Sequence, residues 1–207
     1  MIEGNLSPPT YKKWYPLESN PDTINKYAES LGLNLKEYCF QDVLCLEDWA
    51  LEMIPKPIPS ILFLYPLSTD DNNEIIGSKS STSYPPHLFY MKQLIENSCG
   101  TIALLHSIIN AQISGYDIID GNSYFQNFIN SIDKLNPNEI GEYLVNDEVI
   151  DAFQQAASAQ GQSAQVSINE DVDTHFICFT LQGDFLYELD GRKSSKFIQI
   201  LISFINS

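Results

Sequence analysis

Residues 98–111 are apolar almost throughout, and no other stretch of the chain limits the fold as tightly. At helical spacing Ile102, Leu105, Ile108 and Ile109 fall on one face, with Ala103 and Leu104 beside them. A helix with so little polar surface has no side to give to water. The spacing therefore predicts a central helix around which the rest of the chain is wrapped. At 207 residues the chain suffices for one such core, so a single domain over 1–207 is expected.

Around this helix the chain reads as helices first and strands last. Pro21 and Asp22 follow Ser19 or Asn20 as a cap, and Ile24, Tyr27, Ala28 and Leu31 recur at helical spacing up to Gly32. Ile61, Leu62, Phe63, Leu64 and Tyr65, bracketed by prolines, predict a core strand over 60–66 buried on both faces. Residues 68–86 turn polar and Ser-rich and read as a mobile surface loop. Short helices are predicted over 123–135, 137–144 and 147–159, and 160–172 shows no period. The runs 176–181 and 185–189, joined by Gly183 and Asp184, predict a hairpin.

Composition narrows the function. Eleven Lys and Arg against 27 Asp and Glu give a formal charge of -16, which argues against nucleic acid or an anionic membrane as partner and favours a basic one, or mere solubility. No secretory leader is read at the start, and no segment reaches the ~20 apolar residues of a membrane span, so a soluble protein of the cytoplasm, or also of the nucleus, is expected. Cys39, Cys45, Cys99 and Cys178 match neither a zinc site nor a disulfide scaffold. With only His87, His106 and His175 to draw on, neither a metal nor a cofactor is expected.

The chemistry concentrates where the polar residues before Cys99 run into the apolar helix. At a helix N-terminus the unpaired backbone N–H groups and the dipole favour negative charge, which biases a cysteine there toward thiolate. On local grounds a buried, inert cysteine fits as well. A nucleophilic thiol also needs an imidazole, held in one tautomer by a third group. His175 begins one strand of the expected hairpin and Asp190 ends the other, so the hairpin would bring them to one edge; alone, they would pass for surface residues. Gln93, six positions before Cys99, could donate its amide beside the Cys99 N–H as an oxyanion hole, where one donor contributes about 3 to 4 kcal/mol. It could equally be a loop glutamine.

Three blocks together resemble the ubiquitin C-terminal hydrolases, papain-like cysteine proteases of peptidase family C12. They are Trp14-Tyr15-Pro16-Leu17-Glu18-Ser19-Asn20-Pro21, the segment 93–101 around Cys99, and His175-Phe176 followed by Leu186-Tyr187-Glu188-Leu189-Asp190-Gly191-Arg192. Their order and spacing follow the family from about 14 to 192. The resemblance implies an α+β fold, a central antiparallel sheet flanked by helices on a knotted backbone. It implies a thiol protease and deubiquitinase, with Cys99, His175, Asp190 and Gln93 as its catalytic groups. The adducts would be small or unfolded, because 157–172 corresponds to the family's crossover loop. The partner would be ubiquitin or a ubiquitin-like modifier, met by a monomer, with Pro16 and Leu17 touching ubiquitin's apolar patch and the acidic charge attracting its basic tail.

Past Arg192 the likeness stops. The apolar run 197–205 does not match the family's closing helix and strand; it could supply one strand, but its cover is missing, so a fold left incomplete at the C-terminus is expected. The alternative that follows is a ubiquitin-binding protein whose catalytic groups are held out of register, since misplacement by about 1 Å can cost on the order of a hundredfold in rate.

Overall fold

A computed structural model describes residues 12–67, 79–81, 87–159, 172–193 and 197–201, the backbone alone for 79–81 and 197–201. The helices are α1 (Pro21–Leu31), α2 (Asp48–Glu52), α3 (Cys99–Ile113), α4 (Tyr124–Ile132), α5 (Pro137–Val145) and α6 (Glu148–Ala159). The strands are β1 (Ser60–Pro66), β2 (Lys79–Ser81), β3 (Thr174–Gln182), β4 (Phe185–Leu189) and β5 (Phe197–Leu201). They form one antiparallel sheet in the order β1-β3-β4-β5-β2.

Among the described residues, four of the six helices begin where a side chain satisfies their first N–H groups. Asn20 Oδ1 accepts from the N–H of Asp22 and Thr23, with Pro21 in the first turn. Ser123 Oγ accepts from Gln126 N–H to start α4. At α5, Asn136 and Glu139 cap each other's backbone in a reciprocal box. Asp147 Oδ1 opens α6 by accepting from Val149 and Ile150.

The central helix is α3, buried on every side from Gly100 to Ala111. It lies against β3 and β1. Its polar residues are buried too, and they fasten the segment 89–91. Asn110 accepts from Phe89 N–H at 2.8 Å and donates to the Phe89 carbonyl at 2.9 Å. His106 Nε2 accepts from Met91 N–H at 3.1 Å. The segment that leads to Cys99 is thereby strapped along the same helix that Cys99 begins.

Three expectations change. β1 is an edge strand whose side chains alternate: Leu62 and Leu64 pack toward α3, while Ile61 and Phe63 stay half-exposed. Its uniform apolar sequence hides that alternation, because a run without polar residues shows no period of two. The expected loop over 68–86 contains strand β2, paired with β5; its other residues up to Pro86 lie outside the described ones. The run after Arg192 does supply a strand, since 197–201 form β5, paired with β4 on one side and β2 on the other. Residues 160–171 lie outside the described ones, and 157–159 form the last turn of α6 rather than the start of a crossover loop.

Candidate active site

Cys99 is the first residue of α3 and half-buried, after Ser98 Oγ turns back to the Ile95 carbonyl at 2.8 Å. Its neighbour Gly100 brings the helix end down onto two other segments. A Cβ there would stand 2.9 Å from Leu17 Cβ and 3.3 Å from the Phe176 ring, so any larger residue would lift Cys99 off the sheet.

Phe176 is preceded by His175, the second residue of β3, and this is how the helix end and the imidazole meet. His175 is buried, and the nearby Cys99 side chain favours its charged form. Its Nε2 lies 2.7 Å from Asp190 Oδ1, which leaves Nδ1 for the thiol. Asp190 directly follows β4, whose pairing with β3 runs from Gln182↔Phe185 to Cys178↔Leu189. The hairpin thus folds fifteen residues of sequence separation into one hydrogen bond. Tyr65, paired with His175 across β1 and β3, meets the imidazole edge-on at 5.8 Å.

Burial alone would push His175 down. The hydrogen bond with Asp190, the Cys99 side chain and the Asp190 charge outweigh it and push His175 up to about 9. Burial would likewise raise Asp190, but the hydrogen bonds from His175 and the Arg192 N–H, and the charges of His175 and Lys193, hold it below the usual carboxylate range. The two shifts agree in sign: an imidazolium beside a carboxylate.

Asp190 is itself held by groups that sequence reasoning missed. The Tyr90 hydroxyl donates to the Asp190 carbonyl at 2.9 Å and the Lys193 carbonyl at 2.6 Å, gripping both ends of the turn. The Tyr90 ring stacks on His106 at 5.2 Å. Gln93 N–H donates to the Gly191 carbonyl at 2.9 Å, and a Cβ on Gly191 would meet Gln93 Cβ at 3.0 Å. Nothing in the sequence joins residues a hundred positions apart, so no local pattern could have found Tyr90.

Gln93 is tied by its backbone to Gly191, next to Asp190, and its amide turns to its own loop. Nε2 donates to the Ile95 carbonyl at a long 3.3 Å, and Oε1 is buried without a partner among the described residues. A bond that long is readily exchanged for a stronger one to an anion. The expected ubiquitin contacts divide. Pro16 is half-buried at the surface, but Leu17 is buried against Gly100 and has no side chain to offer a partner. The hydrogen bonds from Trp14 to Asp151 and from Gln154 to the Tyr15 carbonyl dock this segment on α6, which turns Leu17 inward.

The comparison with known proteins agrees with this geometry. The profile of ubiquitin carboxyl-terminal hydrolase, family 1, matches residues 14–201. The chain belongs to that family. Ubiquitin carboxyl-terminal hydrolase 3 of Arabidopsis thaliana is 41% identical over 186 residues, covering 88% of this chain and 77% of its own length. A ubiquitin carboxyl-terminal hydrolase of Drosophila melanogaster is 36% identical over 188 residues, covering 87% and 79%. In fold, the hydrolase resembles the UCH37 catalytic domain of Trichinella spiralis, crystallised with ubiquitin vinyl methyl ester, at a TM-score of 0.66 and 20% identity over 90% of this chain and 77% of that one. The family match reaches nine residues past Arg192, through the whole of β5.

Proposed function

We propose that Cys99, His175 and Asp190 hydrolyse the bond after the C-terminal glycine of ubiquitin, making this protein a thiol-dependent deubiquitinase. The observation that carries the reading is the 2.7 Å contact of Asp190 with His175, on the strand against which the helix begun by Cys99 rests through Gly100 and Phe176. The Cys99 sulfur attacks the glycine carbonyl as thiolate, its proton already held by His175 as the imidazolium. The oxyanion gathers on the Cys99 N–H at the start of α3 and on the Gln93 amide, which swings from the Ile95 carbonyl. His175 then gives its proton to the departing amine, leaving a thioester on Cys99. Water, deprotonated by His175, attacks the thioester and frees ubiquitin with a carboxylate end.

A ubiquitin carrying an electrophile at its C-terminus tests this. Wild-type protein gains the mass of one ubiquitin, and Cys99→Ala does not. Preferential labelling by a probe built on a ubiquitin-like modifier would reassign the substrate. Reversible binding without labelling would favour the non-catalytic reading, whose premise of misplaced groups the His175–Asp190 contact already opposes.

A further inference from the structure

Asp190 stands just past the ladder that would hold it. The pairing of β3 with β4 closes at Cys178↔Leu189, and that of β4 with β5 at Glu188↔Ile198. His175 is held further out along β3, by its pairing with Tyr65 of β1. No strand-to-strand bond therefore sets how far the Asp190 carboxylate stands from the imidazole.

What holds Asp190 is the turn it opens. Lys193 N–H donates to the Asp190 carbonyl at 3.0 Å, and the segment leading to Cys99 grasps this turn from outside. Gln93 N–H donates to the Gly191 carbonyl at 2.9 Å, and Lys92 Nζ to the carbonyls of Arg192 at 3.0 Å and Lys193 at 2.8 Å. The Tyr90 hydroxyl reaches Asp190 itself. Its single proton is shared between the Asp190 carbonyl at 2.9 Å and the Lys193 carbonyl at 2.6 Å.

Tyr90 is in turn seated on α3. It is buried, and its ring lies nearly parallel to that of His106, at 5.2 Å and 15°. His106 is wholly buried in α3 and accepts from the N–H of Met91, the next residue after Tyr90. Burial and the Asp190 charge push the Tyr90 hydroxyl above its usual range, so it remains a donor at neutral and mildly alkaline pH. A ring locked on the helix that Cys99 begins thus ends in a donor aimed at the backbone of the residue that must meet His175. We propose that Tyr90 is a positioning residue of the active site: its hydroxyl ties Asp190 to the helix that carries Cys99 and so keeps the Asp190 carboxylate on His175. The inference deepens the hydrolase reading above and rests on it.

Tyr90→Phe removes the oxygen and keeps the ring on His106. One neutral hydrogen bond is small against the stability of a domain, so the variant should fold, which a urea titration checks. The charged and titratable groups around Asp190 are His175, Lys193 with its partner Glu188, Lys92 and His106, and the variant alters none of them. In proton NMR, with the signal assigned by its loss in His175→Gln, the imidazole of His175 should titrate at about 9 in the wild type. In Tyr90→Phe it should titrate lower by about half a unit or more, because a loosened carboxylate no longer offsets burial. This measurement needs no ubiquitin, so it judges the role of Tyr90 even where the hydrolase reading fails. With a fluorogenic ubiquitin substrate, kcat should fall about tenfold and KM stay within about twofold, since a displacement below ~1 Å slows proton transfer without touching the binding surface. In the Asp190→Asn background the same substitution should cost less than about twofold, as expected of a residue that acts through Asp190. An unchanged His175 titration in folded Tyr90→Phe overturns the proposal. So does a variant that loses the fold, or a tenfold loss repeated in full in Asp190→Asn, since the hydroxyl would then serve the fold rather than the carboxylate.

Discussion

At the scale of single residues, the site depends on how Asp190 sets the charge of His175. Left to burial, His175 would sit below its ordinary value, and its partners reverse that. Removing the Asp190 charge leaves burial and the weaker Cys99 contact. In Asp190→Asn the high-pH limb of kcat/KM, set in the wild type by loss of the imidazolium near 9, should move down by more than one unit, with kcat reduced on the order of a thousandfold or more. A limb that stays near 9 in the variant would show that another group titrates there. The same shift bears on stability. A raised histidine stabilises the fold fully below 6.5 and loses that contribution as pH climbs through about 9, so alkaline unfolding should come at a higher pH in the wild type than in Asp190→Asn. Cys99, His175 and Asp190 could be read in the sequence because a helix junction and a hairpin bring them together by local rules. Leu17 was misread because its sequence neighbourhood says nothing of Gly100, the residue it packs against.

At the scale of elements, α3 is the organising piece, and His106 shows how. It is wholly buried between the rings of Phe89 and Tyr90 and holds the Met91 N–H, so it fastens the approach to Cys99 onto the helix two turns beyond it. Burial pushes His106 down to about 4. The unfolded chain takes up this proton near 6.5 and the folded one only near 4, so stability falls as pH drops between those values, by on the order of 3 kcal/mol at full effect. Urea midpoints should decline across that window, and His106→Gln, though less stable throughout, should show a flatter profile. A decline of equal steepness in the variant would place the proton elsewhere. Five of the six helices among the described residues could be read in advance, four from the capping residues Asn20, Ser123, Asn136 and Asp147 and α3 from its apolar run, while α2 is too short and too exposed to show a period. The strands were harder. β1 shows no alternation in its letters, and β2 is three polar residues defined by a partner more than a hundred positions away.

For the molecule as a whole, the acid excess is the property that acts at a distance. A charge of -16 attracts a basic partner before any contact forms, and ions screen that attraction within about 10 Å at 0.1 M salt. The association rate with ubiquitin should therefore fall several-fold between low and physiological salt, while the rate of the chemical step holds. A rate indifferent to ionic strength would show that the charge faces elsewhere.

The imidazole is borne on β3, which is flanked by β1 along its length and leads into β4 through a tight turn. Its carboxylate partner closes the same hairpin, and the thiol's helix rests on the same strand through Gly100 and Phe176. The machinery thus has no hinge of its own to give way first. Warming or denaturant should extinguish turnover and dissolve the sheet in a single event, with no folded but idle form in between.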